Sequence, residues 1–71
     1  MTKPESRFEY IRRYYGVPAK RLGRIRDWQG QEGTILWVRN AHLAVRMDDD
    51  GRLAYFHPSY GLTYLETGVT V

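Results

Sequence analysis

The chain has 71 residues, a formal net charge of +3 and no cysteine. A chain of this length forms one small domain, and without cysteine it has neither disulfides nor thiolate metal sites. Aromatic residues make up 14% of it, and their large side chains can build a core that cross-links would otherwise have to support. We therefore expect a single domain over residues 1–71, with a helix at about 3–15, a small β-barrel at about 22–65 and a frayed tail at 66–71.

The N-terminal residues do not resemble a targeting signal. Residues 1–7 are polar and charged with no apolar stretch behind them, and no window approaches the roughly 18 apolar residues of a membrane span. The chain has no cysteines that would point to an oxidising compartment. The expected location is therefore the cytoplasm, with no membrane partner.

The first predicted element is the helix at about 3–15. A capping box of Thr2 and Glu5 starts it, with Pro4 tolerated in the first turn, and Gly16 followed by Pro18 ends it. Helical spacing of the apolar residues defines two faces. The predicted core face carries Phe8, Ile11 and Tyr15, and the opposite face carries Arg7, Tyr10, Arg13 and Tyr14.

After Pro18 the apolar residues alternate, which predicts strands. Turn-forming residues separate them, including a tight connection at Arg39-Asn40-Ala41 and the Asp-Gly pair that ends the acidic run 48–51. The expected strands lie at about 22–26, 34–38, 42–47, 52–56 and 62–65, with one turn of 3₁₀ helix at 57–61. The predicted barrel core is Ile25, Ile35, Trp37, Leu43, Val45, Leu53, Tyr55 and Leu62, onto which Phe8 and Ile11 dock the helix.

This order of elements resembles the Src-homology-3-like small barrel. The segments Gly23-Arg24-Ile25, Gly33-Thr34-Ile35 and Val45-Arg46-Met47-Asp48 also resemble the KOW-type version of that barrel, which occurs in ribosomal and transcription factors. Residues 15–21, Gly33-Thr34-Ile35 and Phe56-His57-Pro58 are similar to short uncharacterised proteins of bacteriophages and prophages. The resemblance covers roughly residues 15–65. It implies a mainly β fold, a five-stranded barrel preceded by one α-helix, and brings no established activity with it.

No group of residues predicts catalysis. Ser59 lies two residues after His57, but the sequence has no nucleophile elbow and no identifiable acid to orient the histidine. The acidic run Asp48 to Asp50 lacks the alternating spacing of a calcium loop and is typical of a solvated turn. We therefore expect a protein that is not an enzyme and holds neither metal nor cofactor.

The basic residues are concentrated in the first part of the chain. Eight basic and two acidic residues up to Arg26 give a net charge of +6, whereas residues 27–71 carry a net charge of −3. Such asymmetry favours a polyanionic partner, and interleaved tyrosines could add base stacking to phosphate contacts. The predicted nucleic-acid-binding residues are Arg12, Arg13, Lys20, Arg21, Arg24, Arg26, Tyr10 and Tyr14.

The leading hypothesis is thus a non-catalytic module that binds nucleic acid, DNA or RNA, through a basic N-terminal face. For the residues themselves, the alternative is that the cations form a plain solvated surface and the tyrosines bury their rings in the core. For the function, the alternative is a protein-interaction module, such as a phage-encoded modulator that docks on a host protein, because Tyr, Trp and Arg are frequent at interface hot spots. A monomer or a small homo-oligomer fits either function.

Overall fold

A computed structural model describes residues 6–71 of the chain. The predicted capping box at Thr2 and Glu5 lies outside these residues. One helix precedes the strands, and the protein is mainly β, as predicted. In chain order the elements are α1 (Ser6–Tyr15), β1 (Arg24–Asp27), β2 (Glu32–Arg39), β3 (His42–Met47), β4 (Leu53–Phe56), β5 (Leu62–Tyr64) and β6 (Val69–Thr70).

All strands belong to one antiparallel sheet with the order β4-β3-β2-β1-β5-β6. Within residues 6–71 the two outermost strands, β4 and β6, do not pair with each other, so the sheet is open. The observed architecture is therefore a six-stranded sheet with one helix, where five strands closing into a barrel were predicted.

The sixth strand corrects the prediction of a frayed tail at 66–71. Gly68 adopts a φ of 74°, which lets the chain turn back after β5. Val69 then pairs with Tyr64, and Leu62 and Val71 exchange backbone hydrogen bonds of 3.1 and 2.8 Å. Two residues are too few to show an alternating pattern, so this strand could not be predicted from the sequence.

Helix α1 packs on one face of the sheet through the residues that its spacing predicts. Ile11 is fully buried, Phe8 is 6% exposed, and Tyr15 packs at the margin of the same core. Gly16 ends the helix with a φ of 67°, and its N–H donates to the Arg12 carbonyl oxygen over 3.0 Å. The core face of the sheet and the helix therefore enclose one hydrophobic cluster.

A β-bulge at Leu36 decides which residues of β2 enter that cluster. Ile35 pairs with Val45 but Trp37 pairs with Ala44, so the register passes over Leu36. One extra residue exchanges the two faces of the strand beyond it. Val38 is accordingly buried, whereas Trp37 lies on the opposite face and is 43% exposed. The prediction that Trp37 belongs to the core is wrong for this reason.

Strand β4 also faces the opposite way from the prediction. Ala54 and Phe56 pack against the core, while Leu53 and Tyr55 are 45% and 46% exposed on the outer face. Both faces of this short strand carry apolar side chains, so alternation alone could not orient it. The other predicted core residues are buried: Ile25, Ile35, Leu43, Val45 and Leu62.

The turns agree with the prediction in two of three places. Asn40 and Ala41, with φ values of 50° and 61°, form the two-residue turn between β2 and β3, and both positive angles are those of a type I′ hairpin. Residues 48–51 form the exposed β3–β4 turn. The segment 57–61 is a hydrogen-bonded turn instead of the predicted 3₁₀ turn, with Tyr60 N–H donating to the His57 carbonyl oxygen over 3.4 Å.

The bulge can be tested by comparing two truncations. We expect Ile35→Ala to lower the free energy of unfolding by about 2–5 kcal/mol, because it leaves a cavity in the buried cluster. Trp37→Ala removes a larger side chain but should cost less, because its ring is partly in water. Urea denaturation of both variants measures the difference. A greater loss for Trp37→Ala would contradict the assignment of the two faces.

Candidate nucleic-acid interface

The structure distributes the predicted binding residues over separate places. Arg12, Lys20 and Arg24 line one pocket beside β5 and the turn that follows it, which we call the basic pocket. Arg26 lies on β1 and Arg21 in the connector between α1 and β1, both exposed. The exposed face of α1 carries Tyr10, Arg13 and Tyr14.

Two of the cationic side chains that line this pocket form contacts within the protein. The Arg12 Nη1 atom donates to the Ala19 carbonyl oxygen over 2.9 Å, which fastens the end of α1 to the connector. Lys20 Nζ lies 3.1 Å from Glu66 Oε1, and Glu66 is itself part of the pocket lining. A polyanion would have to compete with these contacts.

The cations of β1 are compensated in the same way. The Arg24 guanidinium forms an ion pair with Asp48, donates to Thr34 Oγ1 over 2.7 Å and lies 3.5 Å from Glu32. Its hydrogen bond with Asp48 raises the pKa of Arg24 and lowers the pKa of Asp48. Arg26 lies 3.3 Å from the other oxygen of Glu32. These two arginines therefore join β1 to β2 and to the β3–β4 turn.

The exposed face of α1 is different, because the charge of Arg13 is not compensated. No ion pair within residues 6–71 involves Arg13. Beside it the rings of Tyr10 and Tyr14, one helical turn apart, stack with centroids 5.4 Å apart and planes inclined by 13°. They are 54% and 67% exposed, so the alternative that these two tyrosines are buried in the core is wrong.

The stacked tyrosines begin a longer row of rings. Tyr14 contacts Tyr15 edge to face at 4.9 Å, Tyr15 contacts His57 at 5.1 Å, and His57 contacts His42 at 5.9 Å. We call these five residues the aromatic series: Tyr10, Tyr14, Tyr15, His57 and His42.

Sequence reasoning missed the two histidines of the aromatic series, which lie 15 residues apart in the chain. The β3–β4 register places Leu43 opposite Phe56. His42 immediately precedes Leu43 and His57 immediately follows Phe56, so this pairing brings the two histidines together. The signal was therefore available only once the hairpin register was known.

The ring nitrogens of the two histidines have defined partners. His42 Nδ1 donates to the Asn40 carbonyl oxygen over 2.9 Å, which leaves Nε2 of the neutral ring as an acceptor. His57 Nδ1 accepts the Ser59 N–H over 3.2 Å and lies 3.3 Å from Ser59 Oγ. His57 therefore caps the turn that follows β4.

A shallow depression adjoins the end of the aromatic series. It is lined by Arg39, Asn40, His42 and Tyr55, around the β2–β3 turn. Arg39 is exposed and takes part in none of the ion pairs found within the described part of the chain. None of these four residues was among the predicted site residues.

No protein-family model matches this chain, and neither does any curated protein or solved structure. The Src-homology-3-like, KOW-like and phage-protein resemblances therefore stay predictions. In residues 6–71 no helix is long and apolar enough to cross a membrane, and no three His, Asp or Glu side chains converge as a metal site would require.

The Arg24–Asp48 pair should make stability depend on pH. Because the folded pKa of Asp48 is lowered, its contribution is fully present above the unfolded pKa, about 3.9, and is lost as the pH falls from there through the folded value. Asp48→Asn should therefore melt below the wild type at neutral pH and approach it at acid pH. The difference should shrink in concentrated salt, since the pair is exposed. Equal melting temperatures at every pH would contradict this role.

Proposed function

We propose that this protein is a non-catalytic module that binds single-stranded nucleic acid along the aromatic series, with Arg13 and Arg39 contacting phosphates. The observation that carries the proposal is the stacked, exposed pair of Tyr10 and Tyr14 beside an uncompensated arginine. The binding surface differs from the one predicted from the sequence, since only Tyr10, Arg13 and Tyr14 of the predicted residues belong to it.

Stacking supports a single strand as the ligand. An exposed ring accepts a base on its face only if that base is not already stacked within a duplex, and every base offers such a face. The rings of the aromatic series follow one another at 4.9 to 5.9 Å, so a strand could meet several of them in succession. Binding of this kind is tolerant of sequence.

Charge supports the same ligand. Arg13 lies at one end of the surface and Arg39 at the other, and neither forms an ion pair within residues 6–71. Phosphate contacts by such residues release counterions, so affinity should fall steeply with salt. The predicted resemblance to KOW-type barrels, which occur in ribosomal and transcription factors, agrees with a nucleic-acid partner in the cytoplasm.

The stacking pair can be tested by a double truncation. Tyr10→Ala with Tyr14→Ala should weaken binding of a fluorescent single-stranded oligonucleotide by about tenfold or more, because each lost stacking contact is worth about 1–3 kcal/mol. Fluorescence anisotropy measures the affinity. The matched control is Tyr60→Ala, which removes a tyrosine that is 79% exposed but is not part of the aromatic series. Equal affinities of the two variants would contradict the proposal.

The phosphate contact can be tested with a pair of charge-matched variants. Arg13→Gln should lower affinity for all sequences alike and reduce the slope of affinity against salt by about one. Arg52→Gln removes the same charge from the β3–β4 turn, where Arg52 lies 3.4 Å from Asp50, and should leave the slope nearly unchanged. An equal effect of Arg52→Gln would mean that only net charge matters, and a stronger one would place the phosphate contact at the β3–β4 turn; either result would contradict the proposal.

One further observation favours the alternative of a protein partner. Trp28 and Tyr60 are 76% and 79% exposed, and the Trp28 side chain lies over Gly61, so two large aromatic residues occupy neighbouring loops. Such residues are frequent at interface hot spots. If oligonucleotides fail to bind at low salt, a host protein that contacts these loops becomes the leading proposal.

A further inference from the structure

The outer face of the sheet carries a second aromatic surface next to the aromatic series. On β3 this face presents His42, Ala44 and Arg46, of which His42 and Arg46 are exposed and Ala44 is fully buried. Ala44 pairs with Trp37 on one side and with Tyr55 on the other. Cross-strand partners lie on the same face, so these two large side chains flank Ala44 and account for its burial.

The depression at the β2–β3 turn lies at the edge of this surface. Its lining combines the ring of Tyr55, the amide of Asn40, the guanidinium of Arg39 and the imidazole of His42. An aromatic wall with neighbouring hydrogen-bond donors and acceptors is the combination by which unstacked bases are held. His42 belongs both to this lining and to the aromatic series, so a strand that follows the series arrives at the depression.

We propose that this depression receives one nucleobase of the bound strand, stacked on Tyr55 and within reach of Asn40 and of His42 Nε2. The inference rests on the proposed function and adds to it a site where protein groups hydrogen-bond to the edge of one base. Arg39 and Arg46 give this face a positive charge that no ion pair within residues 6–71 offsets, which suits the phosphates on either side of that base.

The two tryptophans of the chain provide an internal reporter and its control. Trp37 is separated from Tyr55 by a single strand, whereas Trp28 precedes β2 and lies beyond its opposite end. Eight residues of β2 set these ends about 25 Å apart. Both tryptophans are largely or partly exposed, so replacing either one with Phe should leave the fold intact.

The experiment uses two single-tryptophan proteins, Trp28→Phe and Trp37→Phe, titrated with single-stranded oligo-dT and oligo-dA while fluorescence and anisotropy are recorded. We expect binding to change the fluorescence of Trp37 in the first protein and to leave that of Trp28 in the second nearly unchanged. Adding Tyr55→Leu to the first protein should abolish most of the change and any preference between the two oligonucleotides. Adding Leu53→Ala, two residues away on the same face, should abolish neither.

The outcomes separate this inference from the function on which it rests. Binding by anisotropy with no change at Trp37 would overturn the base site and leave the proposed function standing. Equal changes at both tryptophans, or full retention of the change in the Tyr55→Leu protein, would overturn it as well. No anisotropy change with either oligonucleotide at low salt would overturn both proposals.

Discussion

The arrangement of this protein depends on the β-bulge at Leu36 in β2. Without that extra residue, strict alternation would turn Trp37 into the core and Val38 outward. With it, Val38 belongs to the buried hydrophobic cluster, and the large indole of Trp37 lies on the outer face of the sheet next to Ala44. At the start of the same strand, a Cβ on Gly33 would come within 2.6 Å of Val45 Cγ1 and 2.7 Å of the Arg46 carbonyl oxygen, so β2 and β3 approach closely only because residue 33 is glycine.

The same sheet geometry joins parts of the chain that are distant in sequence. The β3–β4 register brings His42 to His57, and the position of α1 brings Tyr15 against His57. The exposed tyrosines of the helix are thereby connected to the β2–β3 turn. Most of the basic residues that the sequence predicted to bind nucleic acid form contacts within the protein instead. Examples are the contact of Arg12 with Ala19 and that of Arg24 with Asp48. Arg13 and Arg39, which form no ion pair within residues 6–71, lie instead at the two ends of the aromatic series.

The sequence predicted the helix and most strands better than it predicted which face of each strand is buried or which residues form the candidate site. The helix with its buried Phe8, the β3–β4 hairpin and Ile25 in the core followed from spacing and turn residues, because these are local properties. The outward position of Trp37 could not be predicted, since a bulge leaves no mark in the alternation of an apolar run. For the candidate site, composition alone pointed to basic residues. Which of them are compensated depends on partners such as Asp48 and Glu66, which are more than 20 residues away in the chain.

We propose that a single-stranded nucleic acid lies along the aromatic series and not in the basic pocket. Backbone amide NMR of the protein, titrated with a short single-stranded oligonucleotide, tests it most directly, because every region reports in one experiment. Binding along the aromatic series should change the chemical shifts mainly of residues 10–15, 39–42 and 55–57. Changes centred instead on Lys20, Arg24 and Glu66, the lining of the basic pocket, would contradict it, as would the absence of any change at low salt.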